Sequence, residues 1–262
     1  MRKNRSIKQK LGLLVGTGLV VLAGILIAYG SIKNRERTLK DAENIAVEAA
    51  RNYAGKVKAE LETGLSEARA LAHSFSAVKA TDSMNLTRNE LNSMLESFIR
   101  KNEDFLGVYT GWEPNAFDGK DKKFANSMGH DETGRFIPYW VRGNSGQITM
   151  EPLKGYQTKG TGNYYQLPKE KKHEVILDPF YYTIGNEEVL LVSLVSPIMH
   201  GGRFYGIAGI DYAVDFLQKM VEEHNLYQGK AELAIVSNKG QYVANSENKT
   251  CLVKILKKIM IT

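Results

Sequence analysis

Residues 11 to 30, LGLLVGTGLVVLAGILIAYG, carry no charge, and about twenty such residues wound as a helix match the hydrocarbon thickness of a bilayer. A run like this either spans a membrane or is removed as a targeting segment. Arg2, Lys3, Arg5, Lys8 and Lys10 precede it, a bias that keeps the N-terminus in the cytoplasm and exports the chain beyond residue 30. Lys33, Arg35, Arg37 and Lys40 flank the other end, interspersed with Glu36, Asp41 and Glu43. The alternative is a cleaved signal peptide with Ala28 and Gly30 as its small-x-small site, but the apolar core of such a peptide is normally shorter than this one. The expectation is an uncleaved single-pass anchor in the cell inner membrane, with the remainder periplasmic or extracellular.

The net charge of +6 invites a nucleic-acid reading until it is divided by region. Residues 1 to 40 carry +8 and residues 249 to 262 carry +4, which leaves −6 for residues 41 to 248. The exported body therefore offers no polyphosphate footprint, and nucleic acid is excluded as a partner. Cys251 is the only cysteine, so neither an internal disulfide framework nor a cysteine-based zinc site is available.

From Leu39 the apolar residues Ala42, Ala46, Ala49, Tyr53, Val57, Leu61, Leu65, Ala68, Ala72 and Phe75 recur at steps of three and four, which predicts one amphipathic helix from about Arg35 to Val78. Two uses are open for so long a stalk, transmission of a conformational change towards the membrane or a plain spacer and dimer coiled coil. Thr87 with Glu90 matches a capping box ahead of a second helix through Leu91, Met94, Leu95, Phe98 and Ile99. The segments at 105–112, 135–142, 174–178, 188–199 and 203–210 are rich in β-branched and aromatic residues and read as strands. Asp211 then stands where a helix N-cap would, before Val214, Leu217 and Val221. Helices, a strand-rich middle and a closing helix predict an α+β fold with a PAS-like antiparallel sheet. Residues 231 to 244 read as a further hairpin turning at Asn238 to Gly240. The sequence closes on CLVKILKKIMIT without a second apolar span, and the expectation is a fragment or a frameshifted product. The domains are then a cytoplasmic tip (1–10), a transmembrane helix (11–30), a stalk (31–80), a membrane-distal module (81–228) and the truncated start of a proximal module (229–262).

Fourteen of the 24 aromatic residues lie between Phe105 and Tyr182. Tyr109, Trp112, Tyr139, Trp140, Tyr164, Tyr165, Tyr181 and Tyr182 offer ring faces and hydroxyls, and Asp178 and Asp211 offer carboxylates at strand ends. Rings with one or two carboxylates suit a cationic amine, because the rings replace lost hydration and the carboxylate supplies the counter-charge. The bland reading is that these aromatics fill a core, that Asp178 before Pro179 makes an Asx turn and that Asp211 caps a helix. Arg135 and Arg142 either read a ligand carboxylate bidentately or stand exposed on an alternating strand. Nucleotide-binding, serine-hydrolase and zinc-protease signatures are absent. His73, His130, His173, His200 and His224 are dispersed without metal-ligand spacing, and His130-Asp131 and Asp118 with Asp121 are weak metal hints whose ordinary reading is a solvated loop. No cofactor, metal or catalytic residue is expected. Asn85 and Asn248 begin glycosylation sequons of the kind that arise by chance.

The order of basic tip, span, long helix, then GWEPNAFDGKD, DETGRFIPYWVRG, NYYQLPK, ILDPFYY, SLVSPI and GIAGID resembles the double Cache sensor domains of bacterial methyl-accepting chemotaxis proteins and some sensor histidine kinases, over about residues 1 to 245. The resemblance implies a long helix supporting two PAS-like modules, with small ligands bound in the distal one. It matches Asp211, in GIAGID, to the aspartate that holds a ligand's amino group, and puts Tyr139 and Trp140 in the pocket-lining segment. The amino-acid-sensing subgroup carries R-x-W-Y, whereas this run is Ile137, Pro138, Tyr139, Trp140 and lacks that arginine. The GRFIPYW and N-Y-Y-x-L-P segments are closer to relatives sensing amines or polyamines, although Asn163 replaces an expected acid.

The expected function is a membrane-anchored extracytoplasmic sensor, the front of a chemoreceptor, that binds a small amine or amino-acid-like ligand and is not an enzyme. The ligand contacts are expected at Tyr109, Trp112, Tyr139, Trp140, Tyr164, Tyr165, Asp178, Tyr181 and Asp211. A homodimer through the long helix is the expected assembly. The alternatives are the sensor of a histidine kinase or diguanylate cyclase and, from another class, a membrane-anchored extracytoplasmic enzyme.

Overall fold

The computed structural model describes residues 6–80, 85–143, 145–224 and 226–247. The chain divides into two units, one ending at Lys56 and one beginning at Val57, and the helix α1, Ile7–Ala80, contributes to both. In the first unit α1 contains one stretch long and apolar enough to cross a membrane. Leu14, Val20 and Ile27 are exposed there. Thr17, a polar interruption of that stretch, turns its hydroxyl back onto the Leu13 carbonyl at 2.8 Å and so satisfies itself within the helix.

The second unit is built on an antiparallel sheet of seven strands: β1 (Gly107–Trp112), β2 (Pro138–Arg142), β3 (Ile148–Pro152), β4 (Val175–Ile176), β5 (Phe180–Ile184), β6 (Glu187–His200) and β7 (Arg203–Ala213). Their order is β3-β2-β1-β7-β6-β4, with β5 also on β6. β4 and β5 share one edge of β6 end to end, Val175 and Ile176 against Val195 and Leu194, Phe180 to Ile184 against Leu191 to Glu187. Both faces of the sheet are covered, and the central strand β1 is accordingly buried at every position.

On one face lie Leu65, Ala68, Leu71, Ala72 and Phe75 of α1 with Leu91, Leu95 and Ile99 of α2 (Arg88–Lys101), packed on Val108, Trp112, Leu194 and Ile210. On the other, Tyr164 and Tyr165 of α3 (Asn163–Lys171) close over Tyr109, Tyr139, Val195 and Ile207. The period of two sends neighbouring strand residues into these two different cores. A third cluster joins α4 (Asp215–Glu222) to the hairpin of β8 (Ala234–Val236) and β9 (Tyr242–Asn245) through Leu217, Val221, Val243 and Ala244.

The capping box forms as the sequence predicts: Thr87 Oγ1 accepts from Glu90 N at 3.2 Å and Glu90 Oε2 accepts from Thr87 N at 2.8 Å. All five predicted strand segments contain strands, and the 231–244 hairpin forms, with Gly240 at φ +76 in its turn. The strand pattern does not anticipate β3 and β5, nor the helical pattern α3, which is short and carries Pro168 inside. Asp211 is no helix cap, because β7 runs on to Ala213 and the cap of α4 is Val214. The terminal CLVKILKKIMIT, with Cys251, and the Asn248 sequon lie outside the described residues.

Candidate ligand-binding site

Tyr109 on β1 stands opposite Tyr139 on β2 and Gly209 on β7. Two residues along β7, Asp211 pairs with Ser193 on β6. These cross-strand partners meet under α3 and form a closed ring of four tyrosines. Tyr109 and Tyr139 have centroids 5.7 Å apart, Tyr139 and Tyr182 5.6 Å, Tyr182 and Tyr164 6.0 Å, and Tyr164 and Tyr109 5.9 Å. All four contacts are edge to face, the arrangement the ring quadrupoles favour. The ring borders a tight space, too small in this structure to hold a water molecule, lined by Tyr109, Leu153, Tyr164, Phe180, Tyr182, Ser193 and Asp211.

Most of the hydroxyls are engaged with the protein. Tyr164 donates to the Lys154 carbonyl at 2.8 Å, Tyr182 accepts from Lys154 N at 2.8 Å, and Tyr109 donates to Ser193 Oγ at 3.4 Å. Ser193 in turn donates to Asp211 Oδ1. The Tyr139 hydroxyl is buried beside Asp211 without meeting hydrogen-bond geometry to it, close enough to favour the charged carboxylate. Burial pushes the Asp211 carboxyl up from 3.8 to about 7, with the Ser193 and Tyr139 hydroxyls pulling the other way. Burial likewise raises Tyr109, Tyr139 and Tyr164, and the nearby Asp211 adds to the shift. Among the described residues no lysine or arginine lines this space, so the Asp211 carboxylate faces aromatic rings and hydroxyls there.

Of the residues proposed from sequence, Tyr109, Tyr139, Tyr164 and Asp211 come together here. Tyr165 shares the face but not the cavity: its ring lies under the Arg135 guanidinium at 4.7 Å and its hydroxyl donates to Glu113. Trp112 is on the opposite face, edge-on to Phe117 at 5.0 Å and tilted against Phe75 at 6.5 Å. Trp140 also packs on that opposite core, because residues adjacent on a strand cannot share a face. Tyr181 is exposed for the same reason, with Tyr182 turned inward. Asp178 lies outside the cage, its carboxylate 3.4 Å from Lys239 Nζ. Leu153, Phe180, Tyr182 and Ser193 complete the lining. Tyr182 belongs to the aromatic group the sequence already singles out, and Phe180 would have followed from recognising β5 and its alternation, whereas Ser193 had no signal short of the β6–β7 register.

Neither arginine faces the cage. Arg142 donates from Nη2 to Ile99 O at 2.6 Å and Asn102 O at 3.2 Å, closing the C-terminal end of α2. Arg135 is buried and donates to Trp112 O and the Tyr165 hydroxyl, with Glu113 Oε1 at 3.4 Å. The acidic pair Asp118 and Asp121 is held by Arg88, whose Nη2 lies 2.6 Å from both Asp118 Oδ1 and Asp121 Oδ1. Asp131 accepts from Tyr156 at 2.5 Å and from the backbone of Thr133 and Arg135. No group of three metal-ligating side chains occurs among the described residues.

A family model for the first PDC sensor domain of methyl-accepting chemotaxis protein-like receptors matches residues 91–219. The extracellular domain of mmHK1S-Z3, a protein assigned as a histidine kinase, superimposes with a TM-score of 0.71 at 35% identity, over 83% of this chain and 74% of that one. The chain belongs to the Cache (PDC) family of chemoreceptor and histidine-kinase sensor domains. A further relative is the methyl-accepting chemotaxis protein TlpQ of Pseudomonas aeruginosa, 30% identical over 184 residues, which are 65% of this chain and 26% of the relative. The chain thus spans about a quarter of the curated relative it matches. The ligand-binding domain of the P. aeruginosa amino-acid chemoreceptor PctC, in complex with GABA, has the same fold at 16% identity, with a TM-score of 0.53 over 81% of this chain and 79% of that one.

Proposed function

We propose that this Cache chain is the sensory front of a chemoreceptor, anchored in the inner membrane by residues 11–30, and that its distal module, residues 81–228, binds a small cationic amine lacking a carboxylate. Residues 31–80 then act as the stalk, residues 229–262 begin a proximal module, and two copies pair through α1. The observation that carries the ligand assignment is the buried Asp211 carboxylate inside a tyrosine ring with no cation along the lining. A buried, unpaired carboxylate is unfavourable until a positive charge meets it. The surrounding ring faces contribute roughly 0.5 to 2 kcal/mol each to holding that charge. An α-amino acid would bring its own carboxylate, and Arg135 and Arg142 are spent on Trp112, Tyr165 and the end of α2. PctC was solved with an amino acid; in this chain the analogous role falls to an amine alone. This reading gives the chain no catalysis of its own, and the same sensor would serve a kinase or cyclase output.

Calorimetric titration of the detergent-solubilised full chain against amines, amino acids and carboxylates tests this. An amine should bind tightest, and Asp211→Asn should weaken it by about 2 to 5 kcal/mol, the cost of losing one partner of a desolvated charge pair. A carboxylate as the tightest ligand, or unchanged affinity in folded Asp211→Asn, rejects the assignment.

A further inference from the structure

We infer that Phe180 is the door of the tyrosine cage and that the groove outside it is the vestibule through which ligand enters and leaves. The inference rests on reading the cage as the ligand site. Six of the seven lining residues are buried, and Phe180 alone is half-buried. A ligand therefore reaches Asp211 only when a wall moves, and the walls are not equivalent.

Phe180 also lines a surface groove of about 680 Å³ with Asn163, Leu167, Asp178, Lys239 and Gln241, so its side chain borders both the groove and the interior of the tyrosine ring. It sits where β4 has ended and β5 begins, directly after Pro179, which has no N–H to give to the ladder. Its ring contact with Tyr182 is long, at 6.4 Å between centroids. Rotation about its side-chain bonds would open the cage without breaking the sheet, a motion of the fast class for a partly exposed residue.

The competing wall is Leu153, which borders a second groove around His130, Glu132 and Gln157. It is fixed far more firmly. Leu153 is 5% exposed, its N–H donates to Ile137 O at 2.9 Å, and the next residue is bonded at both backbone groups, Lys154 N to Tyr182 at 2.8 Å and Lys154 O to Tyr164 at 2.8 Å. Moving that wall would dismantle two of the four cage tyrosines.

The test needs no ligand in its first arm. In the full chain carrying Cys251→Ser, Ser193→Cys puts a thiol on the cage lining, and its modification by the small neutral reagent methyl methanethiosulfonate is followed by mass spectrometry. Phe180→Ala should speed the reaction by about an order of magnitude or more, as expected when a gating side chain is removed, and the milder Phe180→Leu should speed it less. Thr183→Ala, an exposed position on the same strand outside the groove, should leave the rate unchanged. No acceleration in either Phe180 variant, equal acceleration in Thr183→Ala, or a larger one in Leu153→Ala overturns the inference. In the second arm, stopped-flow mixing with the best-binding amine should show Phe180→Ala raising association and dissociation rates together at little change in Kd. A selective rise in dissociation would make Phe180 an ordinary contact residue instead. Should no amine bind, the functional reading fails while the thiol arm still decides whether Phe180 is the door.

Discussion

The ring of Tyr109 occupies the space above Gly209, its partner in the β1–β7 ladder, so closely that a Cβ on the glycine would overlap the ring. Gly107 does the same for the ring of Tyr139. These two glycines let the tyrosines lean over the sheet towards Asp211 instead of standing upright from it. Gly209→Ala should therefore push Tyr109 into the cavity, destabilise the fold by about 1 to 3 kcal/mol as overpacking does, and abolish amine binding. Denaturant unfolding and calorimetric titration check the two effects, and an alanine variant that binds normally would mean the ring has other room.

Asp211 should give the unliganded fold a pH dependence of its own. Its carboxyl sits at about 7 in the folded protein against an ordinary 3.8, so the fold holds this proton more tightly than the unfolded chain. The stability this contributes is complete below about pH 3.8, declines as pH rises, and is gone above about 7. The loss is on the order of 4 kcal/mol at about 1.4 per pH unit. Thermal melts between pH 4.5 and 8 should fall away in the parent and stay flatter in Asp211→Asn; matching slopes would show that another group is responsible. The charged form is the one a cation needs, so amine affinity should rise through the same interval.

Arg142 joins β2 to the end of α2 through Ile99 O, Asn102 O and Phe105 O. Arg142→Ala should lower stability by about 1.5 to 3 kcal/mol, the range for a hydrogen bond from a charged donor. The ligand preference of the folded fraction should not change. A switch in preference from amine to carboxylate, or its reverse, would return Arg142 to the ligand.

Arg88 is 2% exposed and bound to Asp118, Asp121 and Gly134 O, with its guanidinium 4.3 Å over the Phe124 ring. Asp121→Ala removes one of the two carboxylates on Arg88 while Asp118 still holds the guanidinium, so it should cost about 1.5 to 3 kcal/mol, the range for a hydrogen bond to a charged group. Gly134 must remain glycine, since it lies at φ +81 with any Cβ driven into the backbone of Asp121. Chemical unfolding of the Asp121 variant measures the cost, and a loss below about 1 kcal/mol would mean that the 113–135 loop does not depend on this clamp.

A reporter joined after Asn245 and expressed in a Gram-negative cell should be active outside the cytoplasm and sediment with the membrane fraction. Recovery of a soluble product beginning near Ser31 would establish a cleaved leader instead.

The sequence alone determined the elements that depend on local pattern. An uncharged run of twenty residues, apolar steps of three and four along α1, the Thr87 and Glu90 capping box and the β-branched segments all act within a few neighbours, and each appears in the structure. GIAGID and GRFIPYW likewise carried the family. The alternation of strand faces was also legible: Tyr139 and Trp140 are adjacent, so one pocket could never hold both, and the same period separates Tyr181 from Tyr182. Only the tertiary structure decided which aromatics form the cage. Tyr109, Tyr139, Tyr164 and Tyr182 come from β1, β2, α3 and β5, and they meet because the β2-β1-β7-β6 order, with β5 paired on β6, brings those strands under α3. It also decided the charges. Asp211 and Asp178 look alike in the chain, yet one is enclosed among rings beside Ser193 and the other faces Lys239 at the surface. Burial and pairing are sums over long-range neighbours, and no local pattern encodes them.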